Sequence, residues 1–183
     1  LGSIQGTAAL SFDPLQAGSV TSISLSFTAY MPLCQGDSIL LSLPEFSAAS
    51  ASLILFVNSS THELNGTWAE SFASLQISAL DKCSQPPTVV RIVIPSINGI
   101  RLPELGFSAN DPAFKISIIA QFGSIPYTAV SKSPALISLT YSELGYSTPL
   151  ALWKTNISLR FSANTVLEQG GSIILKLPGF YSD

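Results

Sequence analysis

Hydrophobic and polar residues alternate one by one along most of this chain, the period of strands with one buried face. Ala8, Leu10 and Phe12 share a face in the first such stretch. Ile23, Leu25, Phe27 and Ala29 share one in the next, where Ser22, Ser24, Ser26 and Thr28 line the other side. After a turn at Gln35, Gly36 and Asp37 come Ile39, Leu41 and Leu43. Pro44 closes that strand, because it has no N–H to give to a ladder. The pattern predicts further strands over 53–57, 68–80, 89–94 and 114–122, and a last one near 127–130. In 114–122 the apolar face is Phe114, Ile116, Ile118, Ala120 and Phe122. No segment spaces its apolar residues by three and four over a helical length.

About eight short strands divided by Gly, Pro, Asn and Ser turns predict an all-β fold, an immunoglobulin-like β-sandwich. The stretch 22–46, SISLSFTAYMPLCQGDSILLSLPEF, returns without a gap as 156–180, NISLRFSANTVLEQGGSIILKLPGF. Ile157 answers Ile23 (157 − 23 = 134), and Phe180 answers Phe46 by the same step. A period of that size is one β-domain long. The expected organisation is therefore a complete sandwich over 1–132, followed by the first three strands of a second copy over 133–183. Ile137, Leu139 and Tyr141 fit the face of Ala8, Leu10 and Phe12 at a smaller step (139 − 10 = 129). That alignment calls for a five-residue insertion within 145–153. Three strands with one bare apolar face are marginal alone. Either continuation of the chain or a neighbouring chain is expected to complete them.

Composition narrows the function classes. Charged residues are 10 % and hydrophobic ones 46 %, against the ~25 % charged that is usual for soluble domains. Such a surface relies on hydroxyls, attached glycans or burial against partners. The longest apolar runs are strand-sized, whereas a spanning helix needs about 20 residues, so no membrane span is expected. The chain opens on Leu1 without a charged and apolar leader, as a mature or excised segment would. With a net charge of −3 and eight scattered basic residues, it has no basic stripe for phosphates. That excludes nucleic acid.

Candidate chemistry is sparse. Cys34 and Cys83 are the only cysteines, and the position answering Cys34 in the second copy is Glu168. They are expected to pair, which on the chain-entropy view stabilises by roughly 4 kcal/mol and places the protein outside the cytosol. Two buried free thiols are the alternative. Sequons for N-glycosylation stand at Asn58, Asn65 and Asn156. The first two are expected to flank a polar hairpin tip, and the third to point outward because Ile157 and Leu159 point in. His62 near Ser59 and Ser60 lacks the orienting partner and oxyanion donors of a hydrolase. Acid pairs such as Glu63 with Glu70, or Asp37 with Glu45, read as solvated loop carboxylates. Asp13, Asn110 and Asp111 are too few to expect calcium between domains. Trp68, Trp153, Tyr127, Tyr141 and Tyr146 are expected as core or interface anchors before a sugar platform. Leu40 and its counterpart Ile174 keep an aliphatic side chain on a nominally outward face, a candidate assembly contact. No catalytic, metal or cofactor site is expected.

Gly99-Ile100-Arg101-Leu102-Pro103, with GDSILLSLPEF and GGSIILKLPGF, carries one resemblance. The chain resembles the tandem immunoglobulin-like repeats of predicted surface proteins of algae and other protists, including those of flagellar-hair (mastigoneme) type. The resemblance spans essentially the whole chain, rests on structural turns and transfers no functional residue. It implies an extracellular, glycosylated fibre or coat protein that self-associates end to end. The alternative is a cell-surface adhesin or carbohydrate-binding repeat.

Overall fold

The structure, a computed structural model, describes residues 7–57, 64–79, 83–148, 150, 153–164 and 173–180. Among them nothing is α-helical; there are twelve strands and two 3-10 turns. In the first part of the chain these are β1 (Ala9–Asp13), β2 (Ser22–Ala29), β3 (Ser38–Ser42), β4 (Ala51–Leu53) and β5 (Phe56–Val57). They are followed by β6 (Leu64–Ala69), β7 (Ser74–Ala79), β8 (Thr88–Ile94), β9 (Lys115–Ile119) and β10 (Ile125–Ala129). Two more strands, β11 (Leu139–Tyr146) and β12 (Ile157–Ala163), form a separate hairpin.

All named strand pairs are antiparallel. One sheet runs β1-β2-β8-β5 and the other β10-β9-β3-β7-β6-β4. Their inward faces close over a single core, the arrangement of a β-sandwich. Leu10 and Phe12, the Ile23-to-Ala29 row and Ile39, Leu41 and Leu43 are all buried in it, as the alternation predicts. Four rings, Phe12, Phe46, Phe107 and Phe114, pack at one place in that core with centroids 4.8–6.2 Å apart. Most of the six contacts are tilted or edge-on, the geometry that ring quadrupoles favour.

Three expected strands are built differently. The run 53–57 is split between the sheets: β4 pairs with β6 and β5 pairs with β8. At the crossing, the Asn98 carboxamide accepts from Ile54 N at 2.8 Å and donates to Ile54 O at 2.9 Å, standing in for a strand partner. The run 68–80 is a hairpin instead of one strand. β6 and β7 pair directly, joined by a 3-10 turn at Glu70–Phe72 that ends on left-handed Ala73. The apolar pairs Trp68–Ala69 and Phe72–Ala73 flank Glu70 and Ser71, so the alternation breaks where the chain turns. The strand expected over 114–122 ends at Ile119, and Phe122 lies exposed in the following turn.

Two tethers close the sandwich. Ile100 and Leu102 of the GIRLP motif are buried, while Arg101 bridges Ser47 in both directions (2.8 and 3.2 Å). Thr21 N donates to Ile100 O and Leu102 N to Ser19 O, so this strap also holds the β1–β2 turn. Asp37 is buried, in contrast to the solvated carboxylate expected there. Its Oδ2 accepts from Cys34 N at 2.7 Å and its Oδ1 from Gln121 N at 2.9 Å. The carboxylate thereby ties the β2–β3 turn to the β9–β10 turn.

The second hairpin corrects the expected insertion. Leu144 pairs with Leu159 and Tyr146 with Ile157. Each is 134 beyond its counterpart in the pairs Leu10–Leu25 and Phe12–Ile23. The ends agree too: Asp13 faces Ser22, and Ser147 N donates to Asn156 O. Leu144 and Tyr146, not Leu139 and Tyr141, are therefore the counterparts of Leu10 and Phe12, and no insertion exists. The residues 133–136 also sit with the first sandwich, where Leu136 is buried in the core and bridges Phe107. Of the third strand expected in this part, the described residues 173–177 are without strand pairing. In the first sandwich β3 bonds only to β7 and β9.

Candidate functional site

The feature that most needs a functional account is the uncovered face of β11 and β12. Tyr146 and Phe180 stack at 5.5 Å between ring centroids. They are the counterparts, 134 residues on, of Phe12 and Phe46, whose rings lie 5.4 Å apart. The first pair is covered by Phe107 and Phe114 and is 7 % and 4 % exposed. The second pair has no such cover and is 43 % and 44 % exposed. The turns that deliver Phe46 and Phe180 also match. Phe46 N donates to Leu43 O and Phe180 N to Leu177 O, both at 3.3 Å. The third residue of each turn, Glu45 and Gly179, has a φ of 68° and 85°. A proline in front and a left-handed residue next is the chemistry of a type II turn.

On the same face as Tyr146 the hairpin exposes Ile157 and Phe161, while Tyr141 is exposed on the other face with Glu143. Among the described residues β12 pairs only with β11, and an open strand edge is a template for a further strand. In the first sandwich the corresponding edge of β2 is occupied by β8 over seven residue pairs. The second hairpin can accept a strand of that kind.

The expected surface residues are placed as follows. Asn65 lies within β6 and is exposed, because Gly66 and Trp68 face inward and leave Asn65 and Thr67 outside; the tip expected beside it, 59–63, falls outside the described residues. A Cβ on Gly66 would come within 2.8 Å of Leu55 Cδ1, so a larger residue at that inward position would require the Leu55 side chain to shift. Asn65 joins Ser78, Ser38 and Ile119 in one row across the outer face, next to the row Ser52, Thr67, Gln76, Leu40 and Ser117. That face is a field of hydroxyls and amides. Asn156 is exposed at the start of β12. Asn58 and His62 fall outside the described residues. Leu40 is half-buried at the centre of its sheet, whereas Ile174 is 81 % exposed.

Cys34 and Cys83 form a disulfide across 49 residues. Beside it, Ser84 N donates to Leu33 O at 2.8 Å and Leu33 N to Ser84 Oγ at 2.9 Å, aligning the two segments. Trp68 is a core residue, its indole N–H given to Ala48 O at 3.1 Å, while Trp153 is exposed. These two tryptophans therefore cannot share a sugar platform. Asn110 and Asp111 serve the backbone, accepting from Ser133 N and Ala113 N. Among the described residues no group of three His, Cys, Asp or Glu gathers to hold a metal, and no helix is long and apolar enough to cross a membrane.

No family model matches the chain, and no curated protein or solved structure is detectably similar to it.

Proposed function

We propose that this chain is a segment of an extracellular, glycosylated filament or surface coat, built from immunoglobulin-like sandwiches in series that associate end to end. One observation carries the reading. The second hairpin matches the first in register, turn and ring pair at a constant step of 134 residues. Two units of one design in a row are the start of an array.

Other features support it. The orders β1-β2-β8-β5 and β10-β9-β3 parallel the two sheets of the immunoglobulin plan, with β7, β6 and β4 added beyond β3. The chain visits β5 before β6 and β7, so this would be a variant of that plan. A disulfide is at home outside the cytosol. Hydroxyl-rich outer faces with exposed sequon residues Asn65 and Asn156 suit attached sugars. In this reading the work is mechanical: the core, the disulfide and the GIRLP strap hold each unit, and the next unit's first hairpin extends the rod.

Electron microscopy of the native material tests the proposal. Rods or fibres with a repeating unit are expected, and dispersed monomers at high concentration would overturn it. Mass spectrometry is expected to find sugar on Asn65 or Asn156.

A further inference from the structure

We propose that residues 105–107 of the first sandwich form a seat for the following unit, and that Asn164 latches the unit onto it. This rests on the reading of the two hairpins as successive units and adds how they are joined. The seat begins as a short ladder: Phe107 N donates to Leu136 O at 3.0 Å and Leu136 N to Phe107 O at 2.9 Å. Beside it, Ser138 Oγ donates to Leu105 O at 2.6 Å. These contacts fix only the strand that enters the second hairpin.

Asn164 fixes the strand that leaves it. It directly follows β12, and its backbone N donates to Ser138 O at 3.1 Å. Its Nδ2 donates to Leu105 O at 2.9 Å and to Leu136 O at 3.2 Å. Its Oδ1 accepts from Ser138 N at 2.8 Å. One carboxamide thus spends three hydrogen bonds on three different residues of the seat and the entering strand. Gly106 makes room for it. At a φ of 71° its backbone suits glycine, and a Cβ there would overlap Leu136 O and Asn164 Nδ2. A hairpin held at both of its strands cannot swing on one of them, so the joint is a fixed contact and not a flexible tether.

The latch also selects its partner. At the three matching positions the first unit carries Gly2, Ile4 and Tyr30 instead of Leu136, Ser138 and Asn164. A phenol at position 30 has no amide to place between two carbonyls. The seat therefore fits a unit with a carboxamide after its second strand, and rejects one built like the first unit.

The test uses the whole chain with nitroxide labels replacing exposed Ser11 on β1 and Ser162 on β12, the native disulfide kept. Pulsed electron-spin distance measurement is expected to give one narrow distance. Asn164→Ala, and Asn164→Tyr with the first unit's residue, should each lose that narrow peak while the thermal midpoint of the first sandwich stays put. Ser138→Ala, which removes one bond, should broaden it less. A broad distribution in the native chain, or a narrow one in Asn164→Ala, would overturn the latch. Amide exchange at Leu144 and Leu159 separates the two failures. A protected hairpin with a free joint sinks the latch alone, and an unprotected hairpin sinks the tandem reading beneath it.

Discussion

The hairpins β1–β2 and β11–β12 share one register and one intervening turn length, yet their apolar residues have opposite fates. Leu10, Phe12, Ile23 and Leu25 are buried, whereas Tyr146, Ile157 and Phe161 are open to solvent. Register is set locally, by the hairpin's own turn and pairing. Burial is set by what packs against the face, and only the first hairpin has a second sheet over it. The comparison separates two things that usually come together. The ring pair Tyr146–Phe180 is in contact although both rings are exposed.

The sharpest way to break this comparison is to remove the same ring from each copy. Phe46→Ala empties a place in a closed core and should cost about 3–5 kcal/mol in urea unfolding. Phe180→Ala takes away a ring already half in water and should cost under about 1 kcal/mol. Equal costs would mean that the second face is covered after all. Next in size is Asp37→Ala. It removes two hydrogen bonds to a buried carboxylate, and at about 1.5–3 kcal/mol for each such bond it should lower the unfolding midpoint clearly. The matching stretch 156–180 has Gly171 at that position, so it carries no carboxylate there.

A smaller change borrows from the second copy. Glu45 holds the left-handed position that Gly179 holds in its counterpart. Left-handed backbone costs a side-chain-bearing residue about 1–2 kcal/mol, and glycine loses about 0.5–1 kcal/mol in chain entropy. Glu45→Gly should therefore stabilise by about 0.5 kcal/mol, and a loss of stability would show that the Glu45 side chain contributes something more. The smallest effect is a titration. Tyr141 Oη donates to Glu143 Oε2 at 2.6 Å, and this hydrogen bond, with a lesser contribution from desolvation, raises the Tyr141 ionisation above its ordinary value. A raised acid is protonated longer in the folded hairpin, so its contribution is present below the ordinary tyrosine range and is lost as pH climbs through the raised one. Ultraviolet titration should find one late tyrosine that returns to the ordinary range in Glu143→Gln.

Much of the sandwich was legible because its strands bury one face each. β1, β2, β3 and β8 follow the alternation nearly residue for residue. The errors have specific causes. Glu70 and Ser71 interrupt the apolar positions where the 3-10 turn divides β6 from β7, a break that a single strand over 68–80 passes over. β11 contains two apolar alternations out of phase, Leu139 with Tyr141 and Leu144 with Tyr146, with an irregular pairing step between Leu139 and Tyr141. Choosing the wrong phase created an insertion that is not there. Of the candidate sites, the cysteine pair was readable from its count alone, while the latch at Asn164 was not, since a single asparagine after a strand carries no signal until Leu105 and Leu136 are brought beside it.

What the amino-acid order determined by itself is therefore periodic and local: the 134-residue step, the inward face of each main strand, the proline turns and the identity of the crosslinked cysteines. The tertiary structure alone decided which sheet each short strand joins, where Asp37 and Asn164 spend their hydrogen bonds, and which of two matching hairpins has a covered face. The physical reason is the range of the forces. Backbone pairing and turn geometry act between near neighbours in the chain, but removing an apolar face from water needs a partner surface that only the folded chain can bring.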